Sequence, residues 1–379
     1  MGIFCLFLMI LPAGAEELKP ADLHFKEGPL SRETSEKQTV SPQTKGLPAN
    51  HHVREDVRKL EYPETTGRIP SLRIFFQGLP DVPYLGFITA QKLGYYKEAG
   101  LPEVQLLWMN ESQDACELLM LGQADFVSAW MIEGYLACAG GQPIVAISQT
   151  AQRSSCGVCV RKIPGSEIQN IEQLDGKKIG IWCRKEGIPR FFFAHKQMHP
   201  EFIVQNSFSF FLMKKKVLDA LFYTSYSAKT FAEIYKRRDM FTFFDFDTYG
   251  VNIPEDALFC RRSFIKRYPD IAEKFVRASW KGWKFVADNP QEAIQMLREQ
   301  RIRFSLSADS VQLRKQLQVW MDILMLDANL DQNGHCSKDG FAQMRTGLIK
   351  NGTLHKDAPH YEDFFYNILD PKDRIRIKK

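Results

Sequence analysis

The sequence predicts an α/β protein of two lobes, each a mostly parallel sheet flanked by helices and joined to the other by two crossover segments. Three observations predict it. From residue 71 onward, short apolar runs alternate with stretches of helical spacing. A break near 152–162 divides the alternation into two series. The chain then returns near 248–258 and continues as helices. Strands joined by helices of this length need right-handed crossovers, which produce parallel sheet.

Taken in order, residues 1–15 are an apolar run ending in Ala13-Gly14-Ala15, the small-residue pattern of an export signal, without a preceding Lys or Arg. Residues 16–70 are rich in Pro, Glu, Lys, Ser and Thr, too poor in large apolar groups to offset chain entropy, and are expected to be a flexible tether. Strands are predicted at 72–76, 104–108, 126–129 and 144–147. Between them lie helical patterns at 86–99, 114–122 and 132–139, stopped by Gly100, Gly122 and Gly140. The second series places a short helix at 168–174, a helix at 189–198 and another at about 228–236. Its strands fall at 178–182, 219–223 and 241–244. A strand at 258–260 precedes helices opened by Pro269 and Pro290, then at 308–324, 337–349 and 360–368. The expected division is 71–155 with 258–379 as one lobe and 156–257 as the other.

Of 379 residues, 44% are hydrophobic and 25% charged, as in globular proteins, and the net charge of +5 is scattered, which speaks against nucleic-acid binding. Seven of eight cysteines follow the signal. Cys156 and Cys159 lie in an apolar strand-like run and point to opposite faces, so they are expected to be small buried groups.

An open α/β sheet binds ligands beyond the carboxyl ends of its strands. That rule selects 77–84, Trp130, 152–156, 182–185, 223–226 and 245–249. These stretches are dense in rings that can sandwich a planar ligand: Tyr84, Trp130, Trp182, Tyr223, Tyr226, Phe246 and Tyr249. Gln77, Cys156 and Asp247 supply polar groups there. Ser154 and Ser155, with nearby backbone N–H groups, are candidates to hold an anionic group, helped by Arg153 and Arg184.

Catalytic patterns are weak. His195 and His199 have metal-binding spacing, but no Glu accompanies His195 and Pro200 ends the segment. The acidic turn 327–334 departs from a calcium loop in its Gly position and its final ligand. Nucleophile-elbow, phosphate-loop and dinucleotide patterns are absent from the sequence. No metal or cofactor is expected.

Several segments, in order, resemble the type II periplasmic binding proteins for sulfonates, nitrate and thiamine pyrimidine precursors. They are Pro83-Tyr84-Leu85-Gly86-Phe87 running on to Gly94-Tyr95-Tyr96 and Gly100-Leu101; Gly122-Gln123-Ala124-Asp125-Phe126; Leu174-Asp175-Gly176-Lys177-Lys178-Ile179-Gly180; Gly250-Val251-Asn252-Ile253-Pro254-Glu255-Asp256; and Ala278-Ser279-Trp280-Lys281-Gly282-Trp283. Together they span about 71–300. The resemblance implies an exported, periplasmic, monomeric binding subunit of an ABC importer, serving a permease and an ATPase in the membrane. It carries a ligand role by strand-end position onto Tyr84, Trp130, Ser154, Ser155, Trp182, Tyr223 and Tyr226. Some relatives in the pyrimidine branch are enzymes that carry a cysteine cluster with a nearby His. Here Trp182-Cys183-Arg184-Lys185 has one Cys and no His follows the first strand, so binding without chemistry is expected. The expected ligand is a small planar heterocycle. A sulfonate- or nitrate-like anion, a sensing role beside a membrane receptor, and an enzyme of thiamine pyrimidine synthesis are the alternatives.

Overall fold

The computed structural model describes residues 71–109, 113–162, 168–182, 185–205, 212–213, 215–227 and 238–378. The expected signal and tether, Arg184 and the helix expected at about 228–236 lie outside these residues.

The described residues contain β1 (Ser71–Phe76), β2 (Glu103–Trp108), β3 (Phe126–Trp130), β4 (Ile144–Gln149), β5 (Cys156–Arg161), β6 (Lys178–Trp182), β7 (Glu201–Gln205), β8 (Ala220–Thr224), β9 (Phe241–Asp245) and β10 (Asp256–Arg261). They form two sheets, ordered β2-β1-β3-β10-β4 and β7-β6-β8-β5-β9. In the first, β1 runs parallel to β2 and β3, and β10 runs against β3 and β4. In the second, β6 is parallel to β7 and β8, and β5 runs against β8 and β9. Four strands of each sheet therefore share a direction. This is the two-lobed, helix-flanked α/β architecture expected from the alternation.

Burial follows position in the sheet. β3, β4 and β10 are buried at every residue, as strands covered on both faces must be, whereas β1 alternates with Leu72, Ile74 and Phe76 inward. β7 was not among the expected strands. It is a short, half-exposed edge with apolar residues in a row, so it lacks the alternation that marks a strand. Asp125 shows why an acid precedes β3: its carboxylate accepts the Arg73 backbone N–H at 2.8 Å and ties the turn to β1.

Two helices pack with their backbones nearly touching. They are α1 (Leu85–Lys92), which stops where Gly94 turns left-handed, and a long helix at Pro269–Asp288 that buries Phe275, Val276, Trp283 and Val286 on one side. A Cβ on Gly282 would stand 2.0 Å from the Gly86 carbonyl oxygen, and one on Gly86 would stand 2.4 Å from the Trp283 ring. Gly282→Ala is therefore expected to destabilise the fold by about 2 kcal/mol, because neither backbone can retreat without losing its packing. A urea midpoint unchanged from wild type would refute this.

The helix expected at 360–368 ends early. Only Tyr361–Phe364 is helical; Phe365 then bridges to Ala146, and the N–H groups of Tyr366 and Ile368 bond to Ala146 and Ile147. Covering the open edge of β4 satisfies backbone groups that a helix would have left unpaired.

The six described cysteines, Cys116, Cys138, Cys156, Cys159, Cys260 and Cys336, are buried free thiols. Cys156 packs in the large core while Cys159 joins a small cluster on the opposite face of β5, as their spacing predicts. Among the described residues, no helix is long and apolar enough to cross a membrane.

Candidate functional site

β3 ends on Trp130 and β6 ends on Trp182, one from each sheet. Both rings meet the edge of Phe222 on β8, at 5.8 and 5.3 Å between centroids. The Lys185 N–H donates to the Trp182 carbonyl at 3.2 Å, closing a turn that folds the lysine back. Its ammonium comes to lie 5.3 Å from the Trp130 ring centroid and 5.5 Å from that of Trp182. Both distances are within cation–π reach. Burial lowers the Lys185 pKa, opposed by Asp256 first and then by Cys156, Asp81 and Glu255.

Asp256 faces Trp130 directly across the β3–β10 ladder, so their side chains leave the sheet on the same face. It is 7% exposed, and among the described residues its carboxylate accepts no hydrogen bond and makes no ion pair within 4 Å. Burial and then the Glu255 charge push its pKa up to about 7, opposed by Lys185. Gln77 braces the spot through Oε1, which accepts the Trp130 backbone N–H at 3.2 Å. Tyr84 donates its hydroxyl to the Gln77 carbonyl at 2.9 Å, and its ring lies tilted against Phe76 at 4.8 Å between centroids. Tyr226 from the second lobe rests edge-on against Trp320 of the first, at 5.3 Å. Burial raises the pKa of both phenols, with Asp256 the next contributor in each case. Gln77 also lines a groove of about 350 Å³ with Gln113, Asp114, Glu133 and Glu186. There Glu133 accepts the Gly187 N–H at 3.1 Å across the lobes, and burial raises its pKa to about 7.

The structure thus gathers Gln77, Tyr84, Trp130, Trp182 and Tyr226, and it gives other partners to the remaining candidates. Ser154, Ser155 and Cys156 do present donors to an anion, but the anion is the chain's own Glu255. Its carboxylate accepts from Ser154 Oγ (2.9 Å), Ser155 N (2.6 Å), Ser155 Oγ (2.6 Å) and Cys156 N (3.1 Å). Tyr223 does not face Trp130. Successive residues on β8 point to opposite faces, so Phe222 takes that place. Tyr223 instead lies over Gly157, its hydroxyl bonded to Asp245. Asp247 is exposed and accepts the Thr248 N–H at 2.8 Å, a turn-forming role. The strand-end rule reaches Lys185 without giving it a role, and it does not reach Asp256 because β10 runs the opposite way.

His195 stacks on Phe191 and His199 lies 3.8 Å from Asp175, so the two do not converge. Among the described residues no group of three or more His, Cys, Asp or Glu side chains is arranged for a metal. In the acidic turn 327–334 the Asn333 amide donates to the carbonyls of Asp327 and Asn329, occupying the centre where a cation would bind.

A family model described as NMT1/THI5 like matches residues 82–293, more than half of the chain. The chain belongs to the NMT1/THI5-like family. No curated protein matches. Among solved structures it is similar to the periplasmic aliphatic sulphonate-binding protein SsuA of Escherichia coli, at 13% identity and TM-score 0.58, over 80% of this chain and 99% of that one. The periplasmic nitrate-binding protein NrtA of Synechocystis matches at 14% identity and TM-score 0.53, over 82% and 85%. The ligand-binding component of an ABC-type import system of Staphylococcus aureus, with zinc bound, matches at 14% and 0.56, over 79% and 98%. Identities this low establish the fold these proteins share, the type II solute-binding architecture.

Proposed function

We propose that this family member is the extracytoplasmic solute-capturing component of an ABC importer, holding a small planar heterocycle between its lobes for delivery to a membrane permease and ATPase. The observation that carries the reading is the convergence of Trp130 and Trp182 from different sheets on one point, marked by the Lys185 ammonium. Contacts supplied by both lobes exist together only when the lobes are closed, so a ligand at that point stabilises closure. The import role is supported by the structural relatives, which include a sulphonate-binding protein, a nitrate-binding protein and a component of an ABC-type import system. The heterocycle, of the thiamine-pyrimidine-precursor kind, is supported by the ring-lined slot. Binding alone, without chemistry, is the role assigned.

The test starts from ligand released on denaturing natively purified protein, identified by mass spectrometry. Trp130→Ala and Trp182→Ala are each expected to weaken its binding by about 1–3 kcal/mol in calorimetry, the scale of a lost aromatic contact. Unchanged affinity in both variants would remove the slot from the ligand site. The second reading, a sulfonate- or nitrate-like anion, is favoured by the Lys185 charge itself; a simple anion as the released ligand would select it.

A further inference from the structure

The chemistry around Lys185 narrows the class of ligand, and this step rests on the function just proposed. Two indole faces and a carboxylate are what a cationic nitrogen binds best. Here the cation already there is the chain's own. Among the described residues, the Lys185 ammonium makes no hydrogen bond and no ion pair within 4 Å; its neighbours are the Trp130 and Trp182 rings. The Lys185 ammonium offsets part of the negative charge of Asp256 and Glu255 around it. Asp81 is answered by Arg301 at 3.2 Å, which leaves Asp256, opposite Trp130, beside the slot. Glu255 has four donors of its own, and Asp256 has none. An anionic ligand beside Lys185 would add a charge of the same sign next to two buried carboxylates, which is costly in a low-dielectric site. A cationic ligand that replaces the ammonium leaves the balance unchanged.

We propose that Lys185 is a tethered stand-in for the ligand: its ammonium fills the slot formed by Trp130, Trp182 and Asp256, and the ligand is an aromatic cation, a protonated ring nitrogen or an arylmethyl ammonium, that displaces it. A competitor on a short tether acts at an effective concentration on the order of millimolar. Lys185 therefore weakens binding of its own ligand, and it rejects anions and uncharged analogues that cannot take over its charge.

The sign of one substitution tests this. Benzylammonium, benzenesulfonate and benzyl alcohol share a ring and differ in charge. Calorimetry on the full chain is expected to show Lys185→Met and Lys185→Gln binding benzylammonium about tenfold or more tighter than wild type. Asp256→Asn in the same background should abolish the gain, and benzenesulfonate should gain nothing. Thermal melting of each variant confirms that the chain is folded. Benzylammonium binding to both variants no tighter than to wild type would overturn the proposal. So would benzenesulfonate binding to wild type that is lost in the variants, because the ammonium would then be the ligand's counter-ion. Failure of the slot itself is a different result: the Trp130 and Trp182 variants would bind the released ligand unchanged whatever stands at 185.

Discussion

Glu255→Ala is expected to destabilise the protein by about 4 kcal/mol, since several buried donors lose their acceptor at once and each costs roughly 1–3 kcal/mol unpaired, less what water recovers. Glu255 is 1% exposed and sits on the second crossover, just before β10. Its carboxylate takes the hydroxyls of Ser154 and Ser155 and the N–H groups of Ser155 and Cys156 from the first crossover. Asn252 adds a bond at 2.8 Å to the Ser154 N–H, and the Glu255 carbonyl accepts the Met131 N–H at 2.6 Å. One side chain thus bolts together the two segments that join the lobes. Glu255→Gln keeps an acceptor but turns an amide donor toward other donors, so it should recover only part of the loss. Urea unfolding of both variants measures the effect, and a loss below about 1 kcal/mol for the alanine would show that water replaces the clamp.

Asp256→Asn is expected to stabilise the protein at pH 8, on the order of 3 kcal/mol, and to do little near pH 4. The folded-state pKa, about 7, lies above the ordinary 3.8 because burial and Glu255 disfavour the charge. A raised acid binds its proton more tightly in the folded state, so its contribution is fully present below about pH 4 and is lost as pH rises to about 7. The groups facing it are Glu255 on its own strand side, Lys185 from beyond β6, Tyr84 from the loop after β1, and Tyr226 from beyond β8. The asparagine has no proton to lose and removes the wild-type decline. Glu133 also titrates near 7, but it does so in both proteins and cancels in the difference. Urea midpoints at pH 4.5 and 8 report the result; equal stability of variant and wild type at pH 8 would refute it. A buried carboxylate without a hydrogen bond is a burden on the fold, and the proposed ligand-binding role gives a reason for its place beside Trp130.

The local pattern was enough to determine the alternation of strands and helices, the two series, the return of the chain and the strand ends that carry Trp130 and Trp182. Each depends on periodicity or on residues adjacent in the chain, which a sequence displays directly. Tertiary structure alone decided the rest. Whether Phe222 or Tyr223 meets the tryptophans depends on which face of β8 is inward, and the pairing with β5 settles that. Whether Ser154 and Ser155 receive a ligand or Glu255 depends on a partner about a hundred residues away. The short C-terminal helix yields to the open edge of β4, a long-range claim that local spacing does not show. Lys185 and Asp256 each look like surface charges in the sequence. Only the meeting of the two sheets, with β10 running against its neighbours, sets them beside the same pair of indole rings.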